Sequence, residues 1–154
     1  MPPVREIADI AELESLVGAE VALSAWIDIT QERVNLFADA TGDHQWIHVD
    51  PGRCERESPF GVPIAHGFLT LSLLPAIFEN AIAMLNVRMV LNYGLNKVRF
   101  PAPLPVGSRV RGRLSLQSVD QIDGGAQLVW DVVLEREGGD RPVCVAEFVM
   151  RRYS

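Results

Sequence analysis

The chain has 154 residues, 48% of them hydrophobic and 22% charged, which is the size and balance of one folded domain over 1–154 and excludes a disordered or low-complexity protein. Fourteen Lys and Arg against 20 Asp and Glu leave a net charge of −6, opposite in sign to the field that dominates nucleic-acid affinity, so no nucleic-acid partner is expected. The two cysteines, Cys54 and Cys144, sit in no CxxC or zinc-spaced cluster and read as free thiols of a reducing cytoplasm.

The opening run MPPVREIADIAELESL lacks the basic-then-apolar order of a signal peptide. Within it Ile7, Ile10, Leu13 and Leu16 recur every three residues, which predicts a helix over 7–16 that Gly18 ends. Val21, Leu23, Ala25 and Ile27 alternate, predicting one half-buried strand over 20–29. Thr30 is the expected N-cap of a helix over 31–40, with Val34, Phe37 and Ala38 on one stripe and Gly42 as its stop. The stretch 46–50 then reads as extended, and Pro51, Pro59, Gly61 and Pro63 argue against helix until His66.

From Gly67 to about Leu85 the chain is apolar nearly all round, so a helix there has to be buried on most sides, with a kink at Pro75. Its most apolar stretch, 68–78, is too short to span a membrane, and no membrane role is expected. The second half reads as strands over 88–100, 108–121, 125–136 and 142–152. Asp123-Gly124-Gly125 and Gly138-Gly139-Asp140 reverse the chain between the last three. One buried helix followed by a long antiparallel meander predicts an α+β domain in which the sheet covers the helix.

Two of the three histidines fall in Gly42-Asp43-His44-Gln45-Trp46-Ile47-His48-Val49-Asp50-Pro51, and the third opens the buried helix in Pro63-Ile64-Ala65-His66-Gly67-Phe68. His44 and His48 are four apart, but an extended 46–50 gives them no shared face, so no metal is expected. GxSxG is absent, and nothing marks Cys54 as a low-pKa nucleophile. An acid, an imidazole and a free N–H at a helix start are together the parts for adding water across a double bond conjugated to a carbonyl. A turn aspartate, a structural histidine and a packing glycine are the plainer reading of the same residues.

The run from Phe37 to Pro51, with Pro63-Ile64-Ala65-His66-Gly67 and Asn96-Lys97-Val98-Arg99-Phe100-Pro101-Ala102-Pro103, resembles the signature of the MaoC-like, (R)-specific enoyl-CoA hydratases across most of the chain. The resemblance implies the hot-dog fold, a long central helix wrapped by an antiparallel sheet, commonly a homodimer. It implies hydration of trans-2-enoyl-CoA to (3R)-3-hydroxyacyl-CoA and the reverse dehydration, with no cofactor beyond the CoA of the substrate. Asp43 and His48 match the family's catalytic pair, and Gly67 matches the glycine whose N–H faces the thioester oxygen. Gln45 and His66 are implied substrate contacts, and Lys97 and Arg99 are candidates for the CoA phosphates. Gln45 stands where the family usually has Asn, Trp46 where it has Pro, and Pro75 where some members have Ser. Which of Asp43 and His48 takes which proton stays open, as do two rivals on the same fold: an acyl-CoA thioesterase and an acyl-CoA-binding module without turnover.

Overall fold

Alternating apolar residues in the last third of the chain build the main sheet. The computed structural model describes residues 2–154, so only the first residue of the opening run lies outside it. Strands β6 (Arg109–Ile122), β7 (Gly125–Arg136) and β8 (Cys144–Tyr153) form two consecutive antiparallel hairpins. At the first reversal Gly124 has φ +79°, and a Cβ on Gly125 would fall 1.9 Å from the Arg152 carbonyl oxygen, so both positions demand glycine. The expected meander stops there. Strand β5 (Met89–Arg99) pairs with β8 rather than β6, while β2 (Glu20–Leu23) and β3 (Ile27–Asp28) both line the other side of β6.

Three elements depart from the periodicity reading. The strand expected over 20–29 divides into β2 and β3 because Ser24, fully buried, puts its hydroxyl into the ladder. Its Oγ accepts the Gly112 N–H at 2.8 Å and donates to the Ala25 carbonyl at 2.9 Å. A side chain thus takes a place that backbone would otherwise fill. The helix expected over 7–16 begins only at α1 (Ile10–Ser15), capped by Asp9, whose carboxylate accepts the Glu12 N–H at 2.9 Å. Ile7 belongs instead to β1 (Arg5–Ile7), which pairs in parallel with β4 (Ile82–Met84). Consequently the apolar helix cannot reach Leu85.

That helix comes as two short pieces, α5 (Gly67–Ser72) and α6 (Leu74–Glu79), with Leu73 between them and Pro75 in the first turn of α6. The break falls where the missing proline N–H predicts it. Burial is one-sided: Leu69, Leu74, Ile77 and Phe78 are buried, whereas Phe68 is 71% exposed. α6 crosses β6 at Gly112, where a Cβ would come within 2.6 Å of Ile77 Cγ2. Phe78 meets Trp130 of β7 and Phe148 of β8 edge-on, with ring centroids 5.1 and 5.6 Å apart. These contacts place the divided helix over the middle of the sheet, in the expected α+β arrangement.

Before it, α2 (Gln31–Thr41) is capped by Thr30, whose hydroxyl accepts the Arg33 N–H at 3.1 Å, and ends at Gly42 with φ +84°. The segments read as extended or irregular are helical, α3 (Trp46–Val49) and α4 (Pro51–Glu57). Pro51 opens α4 without loss, because the first N–H of a helix has no intrahelical acceptor, and the Asp50 carboxylate caps it by accepting the Arg53 N–H at 3.0 Å. The two cysteines are free and buried. Among the described residues no helix is long and apolar enough to cross a membrane.

Candidate active site

Gly42 releases the chain from α2 into the loop that carries Asp43, and α3 then turns His48 inward to 7% exposure. Two bonds to one residue fix that turn. The Ile47 carbonyl accepts the Ile64 N–H at 3.0 Å, and the Ile64 carbonyl lies 2.7 Å from His48 Nδ1. A carbonyl only accepts, so Nδ1 carries the hydrogen and Nε2 keeps the lone pair. Burial holds the His48 imidazole below its ordinary value; the Ile64 carbonyl and Asp43 pull the other way, and His66 adds to the lowering. His48 is therefore neutral and basic at Nε2 near pH 7.

Asp43 remains exposed, with Oδ1 accepting the Gln45 N–H at 3.3 Å and its backbone carbonyl 3.0 Å from His66 Nε2. Ligand-type atoms of Asp43, His48 and His66 lie within 4.8 Å of one another. One water hydrogen-bonded to two groups bridges a gap of up to about 5.5 Å, so groups this close are within reach of a single shared water. Gly67 is the first residue of α5, and its N–H has no acceptor within the helix. With Phe37, Thr41, Phe68 and Phe100, these residues line a cavity of about 480 Å³. A Cβ on Gly67 would stand 3.0 Å from the Phe100 ring, so glycine is what lets that wall close on the amide.

The structure thus brings Asp43, His48, His66 and Gly67 together. Gln45, Lys97 and Arg99 are exposed and line no part of this cavity; Arg99 Nη1 donates to the Val98 carbonyl at 2.7 Å. Because α5 is six residues long, a single amide rather than the dipole of a long helix is available to an oxyanion. His44 faces Asp39 at 2.9 Å, outside the cavity, and shares no face with His48 because α3 begins after it. Phe68 and Phe100 were not singled out by sequence, although an exposed aromatic directly after the His-Gly pair is a signal. Burial pushes the Cys144 thiol up to about 11 and raises that of Cys54, so neither resembles an activated nucleophile.

A base of this kind sets a pH dependence. His48 loses its lone pair only when pH falls through its lowered folded value, so kcat/KM should stay flat down to about pH 6.5 and fall below it. The same group contributes stability that is present above its unfolded value and lost as pH falls through the folded one. A pH–rate profile whose acid limb began well above 6.5 would contradict the geometry.

A helix in two pieces over an antiparallel sheet, with an acid–imidazole pair at its start, defines a hot-dog protein of the hydratase and dehydratase type. The chain belongs to the MaoC-like domain family, whose model matches residues 12–136. It is 52% identical over 149 residues to the 3-hydroxyacyl-thioester dehydratase Z of Mycobacterium tuberculosis, covering 96% of this chain and 98% of that one. It is 48% identical over 143 residues to nodulation protein N of Rhizobium leguminosarum, 91% of this chain and 88% of that one. Among solved structures, the R-hydratase PhaJ1 of Pseudomonas aeruginosa superposes with TM-score 0.72 at 22% identity, over 94% of this chain and 84% of that one, and carries the fold comparison.

Proposed function

We propose that the chain adds water to trans-2-enoyl thioesters, giving (3R)-3-hydroxyacyl thioesters, and catalyses the reverse dehydration, with CoA as the carrier. The observation that carries this reading is the fixed tautomer of His48, which puts a bare Nε2 in one cavity with the Asp43 carboxylate and the Gly67 N–H. The likeness to a 3-hydroxyacyl-thioester dehydratase supports the substrate class. His48 Nε2 takes a proton from the water that Asp43 orients, and the oxygen bonds to the β-carbon. The electron pair of the double bond moves toward the thioester oxygen, where the Gly67 N–H stabilises it, a donor typically worth about 3 kcal/mol. The proton held by the pair then passes to the α-carbon, and the site returns to its first state. Adding water changes no net oxidation level, so the reading uses no redox cofactor, and with His48 as base and the Gly67 N–H as oxyanion donor it routes no step through a metal.

Loss of the conjugated enoyl-thioester absorbance, with separate determination of product configuration, tests this. The expected product is the (3R) alcohol with no free thiol. Thiol release in place of alcohol, or a (3S) product, would overturn the reading.

The reading also includes a homodimer working in the cytoplasm. β5 is an edge strand on which Met89, Val90, Leu91, Tyr93 and Leu95 are each at least 40% exposed, a long unpaired apolar edge of the kind that proteins cover. An apolar groove of about 550 Å³ lined by Pro75, Met84 and Val90 continues that surface. Sedimentation at micromolar concentration should give a species of two chains, and Leu91→Lys should shift it toward one. A wild-type chain that sediments as a monomer would remove the dimer.

A further inference from the structure

We propose that His66 is a positioning residue whose Nε2–H holds the Asp43 backbone while its ring holds the face of His48, setting the acid and the base one water apart. His66 is 3% exposed. Its Nε2 lies 3.0 Å from the Asp43 carbonyl, 23 residues away in the chain. Its ring stacks on the His48 ring at 3.9 Å between centroids and 23° between planes, and Phe37 meets it, tilted by 54°, at 4.8 Å. Its own carbonyl accepts the N–H of Thr70 at 3.2 Å, anchoring the turn that presents the Gly67 amide.

The tautomer follows from the partner. The Asp43 carbonyl can only accept, so Nε2 carries the hydrogen and Nδ1 is bare. Nδ1 is buried and meets no donor. An unsatisfied buried polar atom costs stability, and a phenyl ring would keep the contacts with Phe37 and His48 without that cost. What the imidazole adds over phenyl is the N–H to Asp43. A backbone held there fixes the start of the loop whose carboxylate must reach the same water as His48, and misplacing a reacting group by about 1 Å costs about a hundredfold in rate.

This inference rests on the hydratase reading for its kinetic test and on geometry alone for its spectroscopic one. In the unmodified protein, nitrogen-15 correlation spectra of the imidazoles should show His66 with hydrogen on Nε2 and His48 with hydrogen on Nδ1. A His66 with hydrogen on Nδ1 overturns the proposal, whatever the activity. In the enoyl-thioester assay His66→Phe keeps the stack and removes the donor, so kcat should fall about a hundredfold with KM within about threefold. His66→Gln, which restores an N–H at comparable reach, should recover at least tenfold of that loss. Wild-type kcat in folded His66→Phe, a loss confined to KM, or no recovery in folded His66→Gln each overturns it. If the wild-type protein shows no hydration in the same assay, the hydratase reading fails instead, and the tautomer result still decides the role of His66.

Discussion

Asp43→Asn and His48→Gln should each slow enoyl-thioester hydration by about two to four orders of magnitude, the usual contribution of a positioned proton-transfer group. Both replacements keep the shape and remove the basicity. Their double variant should lose far less than the product of the single losses, because one water is held by both side chains and is lost with either. Melting temperature is the control. Asp43 is exposed, and His48 contributes one bond to the Ile64 carbonyl, so Asp43→Asn should melt as the wild type does and His48→Gln within a few degrees. His44→Gln, on the far side of the Asp39 pair, should remain active. Full activity in Asp43→Asn would end the shared-water mechanism.

The second large effect is on folding. Leu74, 3% exposed, starts α6 over the middle of the sheet, and Leu74→Asp places a carboxylate where nothing is available to pair with it. An unpaired buried charge costs several kcal/mol, against a total stability of about 5–15 kcal/mol for a domain. Soluble yield should collapse. Ala76→Asp adds the same charge to the exposed side of the same helix and should leave yield and circular dichroism unchanged. A soluble, cooperatively melting Leu74→Asp protein would show that the divided helix is not the centre of the core. Leu71 is only partly buried, so the same change there should be milder than an all-round apolar helix would suggest.

How far the sequence carried the fold is clearest at the two prolines. At Pro75 the missing N–H forced a break, and the break is there. At Pro51 the same residue type was read as a breaker, yet it opens α4. The preceding Asp50 is what distinguishes the cases: an acidic cap followed by proline marks a helix start, whereas proline within an apolar run marks a stop. Ile7 and Ile82 show a different limit. Each fits a helical spacing, and only the pairing of their two segments across the chain, Ile7 beside Met84 and Ile82 beside Arg5, makes both strand. No local pattern contains that information. β5 is a third case, since alternation gives a strand but does not say which neighbour it takes.

The candidate site was legible as a set of residue types. Asp43, His48, His66 and Gly67 could be picked out by residue type in two short blocks, and the structure puts them in one cavity. What sequence withheld was direction: the Nδ1 bond to Ile64 that fixes the lone pair, and the stack of His66 on His48, both made by residues at least sixteen apart in the chain. Lys97 and Arg99 lie apart from that cavity, on the exposed edge strand β5.

The pairing of β5 with β8 also orders the assembly of the chain in time. Strands β6, β7 and β8 zip as neighbouring hairpins, with short loops to close. β5 precedes all three and can dock only after the last of them exists, across the full length of the other two. It is then held on one side alone, as β2 and β3 are at the opposite edge, so its amides should exchange with deuterium ahead of those of β6, β7 and β8. The last of the long strands to form is thus the first of them to open.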